Sequence, residues 1–438
     1  MTLVIKASGS IARVAMLLAS TLMLASGARA QSSLQVPIQF DFLNPSARSL
    51  ALGGAFVGLA DDATAALVNP AGLIELTLPE MSIEGRYRSF THPFLTSGRL
   101  SGLPTGMGED RTPGANYESI GDSATGLTYL SLVIPRGRFR FAAFRHELIK
   151  LEQEFTSRGV FQSRGFDNRD TAFNATRTLS VDVYGASAAY DADRLWVGGG
   201  LLIAPFSLGF NFRRYLHDDF YGAPDPQQEL FNFTQDGDDV GFGAVVGAIV
   251  PVKLAKIGVS YKRSPRFDFS SLSGGLVGSQ QRTRSTFKVP DVFAAGVSAT
   301  FDRALVTVEY TRVFHSQLLD EYVTVLARQG ESGPRVDRFT INDANEFHAG
   351  AEYLLPLPGR PALRGGFWFD PDHSVHYEPT DANDFLDERI VAALSSGRDQ
   401  WHGSFGGMIT VHPKVDIAAA VDHSARSTVI STSAIIRF

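Results

Sequence analysis

The chain contains no cysteine among its 438 residues. Disulfide bonds, thiolate metal sites and cysteine nucleophiles are therefore excluded. A basic excess is also absent, because 40 lysines and arginines stand against 46 acidic residues, and this balance argues against a nucleic-acid partner. If such a large chain is exported, it needs a source of stability other than disulfides. The closed ring of backbone hydrogen bonds in a membrane β-barrel would supply it.

The chain also lacks an apolar run long enough to span a bilayer as a helix, which needs about 20 residues. Residues 14–25 are mostly apolar; they follow two basic residues and precede Ala28-Arg29-Ala30, a small-residue cleavage sequence. This pattern predicts a secretory signal peptide over residues 1–30, with an uncleaved anchor as the alternative. Residues 195–212 are uncharged, but three adjacent glycines and a proline interrupt them, which disfavours a helix.

Apolar and polar residues alternate in many segments after residue 80, with the period of a strand. In 414–424, for example, Val415, Ile417 and Val421 share one face. We predict an all-β fold, namely a transmembrane antiparallel β-barrel of about 14 strands over residues 80–438. The predicted strands are 80–91, 124–135, 138–150, 178–190, 194–206, 238–250, 254–268, 283–300, 304–317, 344–355, 361–370, 399–412, 414–424 and 428–438.

The connections between these strands alternate between short and long. This asymmetry is expected of periplasmic turns and extracellular loops, whereas a soluble β-sandwich, the alternative, has no reason to keep it. The last predicted strand ends in Phe438, which resembles the recognition signal of bacterial outer-membrane barrels. We therefore predict a bacterial outer-membrane location, with membrane lipid and the barrel assembly machinery as partners.

Residues 31–79 are too polar to cross a membrane and too apolar to be a linker. Asp61 and Asp62 could cap a short helix over 63–68 by accepting hydrogen bonds from its first amides. Asn69 precedes Pro70, so the helix should end there. We interpret 31–79 as a partly helical plug in the lumen, since 14 strands enclose a space that side chains alone cannot fill. A periplasmic domain below the barrel is the alternative.

Two motifs carry a family resemblance. Ala60-Asp61-Asp62-Ala63 followed by Asn69-Pro70-Ala71 resembles the plug motif of the FadL/TodX family of outer-membrane transport proteins. The resemblance implies a 14-stranded barrel with an N-terminal hatch that passes hydrophobic solutes, such as long-chain fatty acids or aromatic hydrocarbons. A shift of the plug around Asp61, Asp62, Asn69, Pro70 and Ala71 would release the solute. A secretion-accessory barrel that docks other proteins and a general porin are the alternatives.

A kinked third strand with a hole in the wall beside it is a second property that the resemblance implies. In the predicted strand 138–150, Phe141 and Ala143 share one face, whereas Phe144 falls on the other. One extra residue near Ala142 and Ala143 would restore a single apolar face, which is the effect of a β-bulge. We therefore predict a bulge between Phe141 and Arg145, with a strand carrying aromatic residues on both faces as the alternative.

The long loops are rich in phenylalanine, and a route for apolar solutes needs apolar side chains with a few polar groups for a head group. The candidate substrate-binding residues are Phe155, Phe161, Phe210, Phe212 and Arg213. No motif of a hydrolase is present, so we expect no enzymatic activity, and no metal or cofactor. The substrate is a hydrophobic small molecule whose identity the sequence leaves open.

Overall fold

The structure is a computed structural model. It describes residues 38, 40–108, 110–111, 113–163, 167–169, 172–215, 229–274, 280–319, 338–379, 385–394 and 397–438. The predicted signal peptide, residues 1–30, lies outside the described residues.

Strands make up most of the described chain. They are β1 Glu80–Arg99, β2 Gly114–Arg136, β3 Phe139–Ser157, β4 Gly159–Ser163, β5 Asp167–Arg169, β6 Phe173–Asp191, β7 Trp196–Tyr215, β8 Glu229–Val252, β9 Ala255–Arg263, β10 Arg266–Gly274, β11 Gln280–Lys288, β12 Val292–Phe301, β13 Ala304–Val313, β14 Phe339–Ile341, β15 Ala344–Leu354, β16 Ala362–Asp370, β17 Val375–Tyr377, β18 Gln400–His412, β19 Val415–His423 and β20 Ser427–Arg437.

Fourteen of these strands form one closed antiparallel barrel. The order around the ring is β1, β2, β3, β6, β7, β8, β9, β12, β13, β15, β16, β18, β19 and β20, and β20 pairs with β1 to close it. The pairs β10–β11 and β14–β17 form separate hairpins, and β4 adds to the far end of β1. The predicted 14-stranded barrel is therefore confirmed.

The outward face of the barrel is apolar. On β2, Leu130, Leu132 and Ile134 point outward and are 40–44% exposed, and on β7 Leu201 is 76% exposed. Similar residues stand at alternate positions of the other barrel strands. A continuous apolar belt of this kind is stable only when lipid covers it, which fits a bacterial outer membrane.

The strand boundaries differ from the prediction in two ways. The first six barrel strands are longer than predicted, with 19–24 residues each. The predicted strands 254–268 and 283–300 are each divided, so that β9 and β12 stay in the barrel while β10 and β11 form a hairpin. Pro265 and Pro290 lie at the two divisions, where the missing N–H cannot continue a ladder.

The described helices are short. They are α1 Ala47–Ala51, α2 Ala65–Val68, α3 Phe385–Ala393 and the 3₁₀-helices Pro70–Glu75 and His315–Leu319. In the part of the chain that the structure describes, no helix combines the length and apolarity needed to cross a membrane.

The predicted capping of helix α2 by Asp61 and Asp62 is wrong. The helix begins at Ala65 instead of residue 63 and has no side-chain cap. Asp62 Oδ1 accepts a hydrogen bond from the backbone N–H of Thr64 at 2.8 Å, ahead of the helix, while Asp61 pairs with Arg48 at 2.6 Å. The predicted end is confirmed, since Asn69 is extended and Pro70 starts the 3₁₀-helix.

Residues 40–76, here called the N-terminal segment, lie against the inward faces of barrel strands. Three pairs of glycines on the barrel strands make room for its backbone. A Cβ added at any of the six would lie 2.0–3.1 Å from an atom of the segment. The pairs, in ladder register, are Gly198 with Gly247, Gly258 with Gly296, and Gly350 with Gly366. The main hydrophobic core lies between this segment and the barrel wall.

Candidate functional site: the N-terminal segment, the barrel wall and the cavity between them

A buried ion network joins the N-terminal segment to the wall. Arg48 of α1 donates to both carboxylate oxygens of Glu352 on β15, at 2.9 and 3.0 Å, and to Asp61 at 2.6 Å. Arg364 on β16 contacts the same Glu352 carboxylate at 2.5 Å. Burial alone would lower the pKa of Arg48, but Asp61 and Glu352 raise it well above its ordinary value. The network therefore fixes α1 against two neighbouring strands.

Backbone groups of the segment also bind the wall. Glu309 on β13 accepts hydrogen bonds from the N–H groups of Phe56 and Val57, at 2.7 and 2.6 Å. Lys256 on β9 donates to the carbonyl of Leu59 at 2.6 Å. Because α1, α2 and the 3₁₀-helix are short, most of their terminal backbone groups need partners outside the helix. The barrel side chains supply several of them.

The five predicted gating residues all lie in this segment. Asn69 is fully buried, and its Nδ2 donates to the carbonyl of Val57 at 2.9 Å. Pro70 and Ala71 lie against Gly198 of β7. Asp62 is 2% exposed; burial and the nearby Asp61 raise its pKa, against the hydrogen bonds from Thr64.

The hydrogen-bonded pairing of β2 with β3 ends half-way along the two strands. The β2–β3 ladder runs from Arg136 opposite Phe139 to Tyr129 opposite His146. Beyond that level β2 continues beside β1, and β3 continues beside β6. A cavity of about 310 Å³ lies between residues 122–125 of β2 and 150–152 of β3.

The predicted bulge between Phe141 and Arg145 is wrong in position. Both ladders of β3 are regular there, and the register shift lies between Glu147 and Ile149. The alternative of two aromatic faces holds: Phe141 is 50% exposed on the outward face with Ala143, while Ala142 and Phe144 point inward and are 6% exposed. The ring of Phe144 fits because it lies over Gly185 of β6, where a Cβ would meet it at 2.2 Å.

Two bulges face each other where the ladder ends. One skips Leu148 on β3, and the other skips Thr128 on β2. The Thr128 carbonyl lies 3.2 Å from His146 Nδ1, and the Leu148 carbonyl accepts the N–H of Asp41 at 3.0 Å. Since a buried backbone carbonyl needs a partner, the start of the N-terminal segment completes the irregular part of β3.

Side chains bridge the divided wall above the bulges. Arg145 on β3 donates to the carbonyl of Leu127 on β2 and to Asp182 on β6. The Asp122 carboxylate on β2 accepts a hydrogen bond from the backbone N–H of Glu152 on β3. Side-chain bonds thus replace the missing ladder bonds. We call this region, residues 122–128 of β2 and 145–152 of β3, the seam.

Charged groups connect the seam with the N-terminal segment. Arg88 on β1 contacts Glu147 at 2.8 Å and Asp41 at 3.3 Å, and Arg86 contacts Asp41 at 2.7 Å. Burial would raise the pKa of Asp41, but Arg86 and Arg88 hold it below its ordinary value. Asp41 therefore binds the bulge through its backbone and the arginines through its side chain.

Three of the predicted substrate-binding residues come together at the loop ends of β3, β6 and β7. Phe155, Phe210 and Phe212 belong to one apolar cluster with Phe94 and Phe173. Ring centroids in it lie 4.9–6.2 Å apart, which is the usual range for aromatic pairs.

The other two predicted residues lie elsewhere. Phe161 on β4 is fully buried. The Cζ atom of Arg99 lies over its ring, 5.5 Å from the ring centroid. Arg213 is exposed, and its Nε donates to Asn211 at 3.2 Å. The apolar cluster therefore contains Phe155, Phe210 and Phe212, whereas Phe161 and Arg213 lie outside it.

A second cavity, of about 100 Å³, lies on the long-loop side of the N-terminal segment. We call it the lumen cavity. Phe40, Phe42 and Trp368 line it together with His92, His315 and other polar side chains. Sequence analysis missed its histidines, because they stand singly on strands and loops far apart in the chain and no local pattern marks them.

The comparisons with known proteins agree with this geometry. No family model and no curated protein matches the chain. Among solved structures, a Pseudomonas aeruginosa FadL homologue covers 93% of this chain and 100% of its own, with 14% identity and a TM-score of 0.64. The P. putida toluene transporter TodX covers 90% and 99%, with 14% identity and a TM-score of 0.56.

The chain shares the fold of these barrels. The CymD monoaromatic hydrocarbon channel matches in the same way, at 14% identity over 91% of this chain and 99% of its own, with a TM-score of 0.54. The predicted resemblance to FadL and TodX is thus confirmed for the fold.

Proposed function

We propose that this chain carries hydrophobic small molecules passively across the outer membrane. In this proposal the N-terminal segment is the plug, and the solute leaves sideways through the seam. The observation that carries the proposal is the division of the wall: the β2–β3 ladder ends at Tyr129 and His146, and a cavity of about 310 Å³ lies beyond it. The shared fold with barrels named for hydrocarbon and toluene transport supports it.

The position of the seam suits an apolar solute. Outward residues at its lower end are apolar, as Leu127 and Tyr184 are each 48% exposed. At its upper end the outward residues are charged, as Lys150 and Glu152 show. A solute leaving here would enter the membrane at the outer edge of the apolar belt. Each CH₂ group that it buries there is worth about 0.8 kcal/mol, so no energy source is required.

The apolar cluster around Phe155 would receive the solute on the outer side. From there the solute would pass between the N-terminal segment and β3. Asp41 binds both the bulge carbonyl and Arg86, so a movement of the segment's start would release the seam at the same time. This coupling explains why one element could control both the lumen and the wall.

A reversible cross-link tests the sideways exit, because the chain has no cysteine to interfere. The double variant Ser123→Cys/Glu152→Cys places two outward-facing thiols across the seam, beside the contact between the Asp122 side chain and the Glu152 backbone. Oxidation should abolish uptake of labelled toluene and of labelled oleate into proteoliposomes, and reduction should restore it.

The matched control is Leu132→Cys/Ala143→Cys, which joins the same two strands at a regular register pair. Its oxidation should leave uptake unchanged. Full uptake through the cross-linked seam would contradict a sideways exit. Large salt conductance without uptake of any apolar solute would instead identify a general porin.

A further inference from the structure

Buried ring nitrogens in the lumen cavity have no hydrogen-bond partner in the described part of the chain. His92 on β1 is 4% exposed, and neither of its ring nitrogens has a hydrogen-bond partner among the residues that the structure describes. His315 is also 4% exposed, with its Nδ1 unpartnered, and His402 on β18 is 6% exposed, with its Nε2 unpartnered. A buried polar group that makes no hydrogen bond is unfavourable, because it has lost its bonds to water without replacement. Three such side chains around one cavity therefore favour an occupant that can hydrogen-bond.

The surroundings of His402 orient its free nitrogen. Its Nδ1 lies 2.7 Å from Asp422 Oδ1, and the indole N–H of Trp368 donates to the other oxygen of Asp422 at 3.1 Å. The rings of Trp368 and His402 stack with centroids 3.9 Å apart. The carboxylate thus fixes the imidazole, and Nε2 remains for a ligand. A flat aromatic wall stands beside it.

The charges around the cavity favour a neutral ligand group. Three arginines and His373 face four carboxylates in the lining. Burial would lower the pKa of His373, but the Asp370 carboxylate at 3.3 Å raises it to about 9, so His373 is cationic and the lining carries no net charge. An ionised head group would add an uncompensated charge to a buried site, which is costly.

A neutral imidazole offers one N–H donor and one acceptor nitrogen, and a hydroxyl group can satisfy either. A pure hydrocarbon satisfies neither. The volume of about 100 Å³ is smaller than the roughly 150 Å³ cavity that takes benzene. It therefore suits a polar head and the first atoms attached to it, while Phe40 and Phe42 contact the apolar remainder.

We propose that the lumen cavity binds the neutral hydroxyl head of an amphipathic solute, a phenol or an alcohol, and that the protein selects hydroxylated solutes over hydrocarbons of the same shape. This inference rests on the proposed transport function and specifies its substrate class. His92 and His402 are the residues that decide the selection.

Two pairs of seven-carbon solutes test the selection, p-cresol against toluene and 1-heptanol against heptane, and p-toluate is the charged analogue of p-cresol. Binding is measured by calorimetry on the purified full-length protein in detergent, with the detergent-only titration subtracted. We expect a hydroxylated solute to bind at least tenfold more tightly than its hydrocarbon. The cresol and heptanol arms show whether the preferred hydroxyl is phenolic or aliphatic. Tighter binding of p-toluate than of p-cresol would overturn a neutral head group.

His92→Phe is the decisive variant, because it removes no hydrogen bond between His92 and any described residue. It should bring the cresol-to-toluene ratio close to one while toluene binding is retained, and His402→Asn should do the same. His423→Phe is the matched control, since His423 is an exposed residue of β19, and it should keep the ratio.

Proteoliposome uptake separates the two levels of the inference. If both toluene and p-cresol are taken up and the two bind with equal affinity, the hydroxyl site is refuted and the transport function stands. Water alone would then fill the cavity. Absence of uptake for every apolar solute would overturn the transport function itself.

Discussion

Gly198 of β7 offers a sharp test of how closely the N-terminal segment fits the wall. A Cβ at this position would lie 2.5 Å from the backbone nitrogen of Ala71 and 2.5 Å from the carbonyl carbon of Pro70. Carbon contacts are optimal at about 3.5–4.0 Å, so Gly198→Ala forces the segment away by roughly 1 Å. The crowded atoms belong to the backbone, so no rotamer change can relieve the clash.

Overpacking of this kind costs about 1–3 kcal/mol. If this energy destabilises only the state in which the segment lies against the wall, the equilibrium between the docked and the displaced segment shifts by roughly 5- to 150-fold. In planar bilayers, we expect Gly198→Ala to raise the fraction of time in high-conductance states by a factor in this range. The folded barrel should still form, because the ladder on both sides of residue 198 needs no side chain.

The neighbouring residue supplies the control. A Cβ at Gly199 would meet nothing closer than 3.5 Å, the carbonyl oxygen of Val245. Gly199→Ala has the same change in strand propensity, so its effect on stability should stay within about 0.5 kcal/mol. Equal open fractions for the two variants would refute the argument that the segment closes the lumen by fitting against Gly198.

Arg48→Gln should destabilise the protein by about 1.5–3 kcal/mol, because Asp61 loses its cation while Glu352 keeps Arg364. Arg138→Gln, in an ion pair with both side chains more than half exposed, should leave the free energy of unfolding nearly unchanged in the same denaturant titration. Arg99→Ala breaks a fully buried ion pair and should expose the loop after β1 to protease while the barrel stays folded; an unchanged cleavage rate would contradict this. Burial would lower the pKa of His373, but the Asp370 carboxylate raises it to about 9. The stabilisation by the protonated imidazole is therefore complete below pH 6.5, the ordinary pKa of histidine, and is lost as pH rises through about 9. Thermal unfolding of His373→Gln should therefore show a smaller decline across that window than the wild-type chain, and parallel curves would contradict the assignment.

The barrel could be predicted from the sequence because its signal is local and repeated. Alternation with period two marks each strand, and the alternation of short and long connections marks the two ends. The end of α2 could also be predicted, since Asn69 and Pro70 restrict the backbone by themselves. These features depend only on neighbours along the chain.

Features that depend on distant partners were not predictable in this way. The bulge lies at Leu148 rather than near Ala142, because Gly185 on the adjacent strand gives Phe144 room inside the barrel. Asp61 does not cap a helix because Arg48 is available to it. In both cases the local pattern allowed two arrangements, and tertiary packing selected one.

The paired glycines have a consequence for movement along the lumen. If the N-terminal segment leaves them, it uncovers a strip of wall made of peptide groups that are already hydrogen-bonded to each other. At the six glycines no side chain projects into the lumen, so a passing molecule comes close to the backbone there, while Glu309, Ser298 and Lys256 nearby lose their partners on the segment. Binding and passage would then belong to different parts of the same barrel: the histidine-lined cavity retains a solute, and the six glycine positions leave space for it to pass.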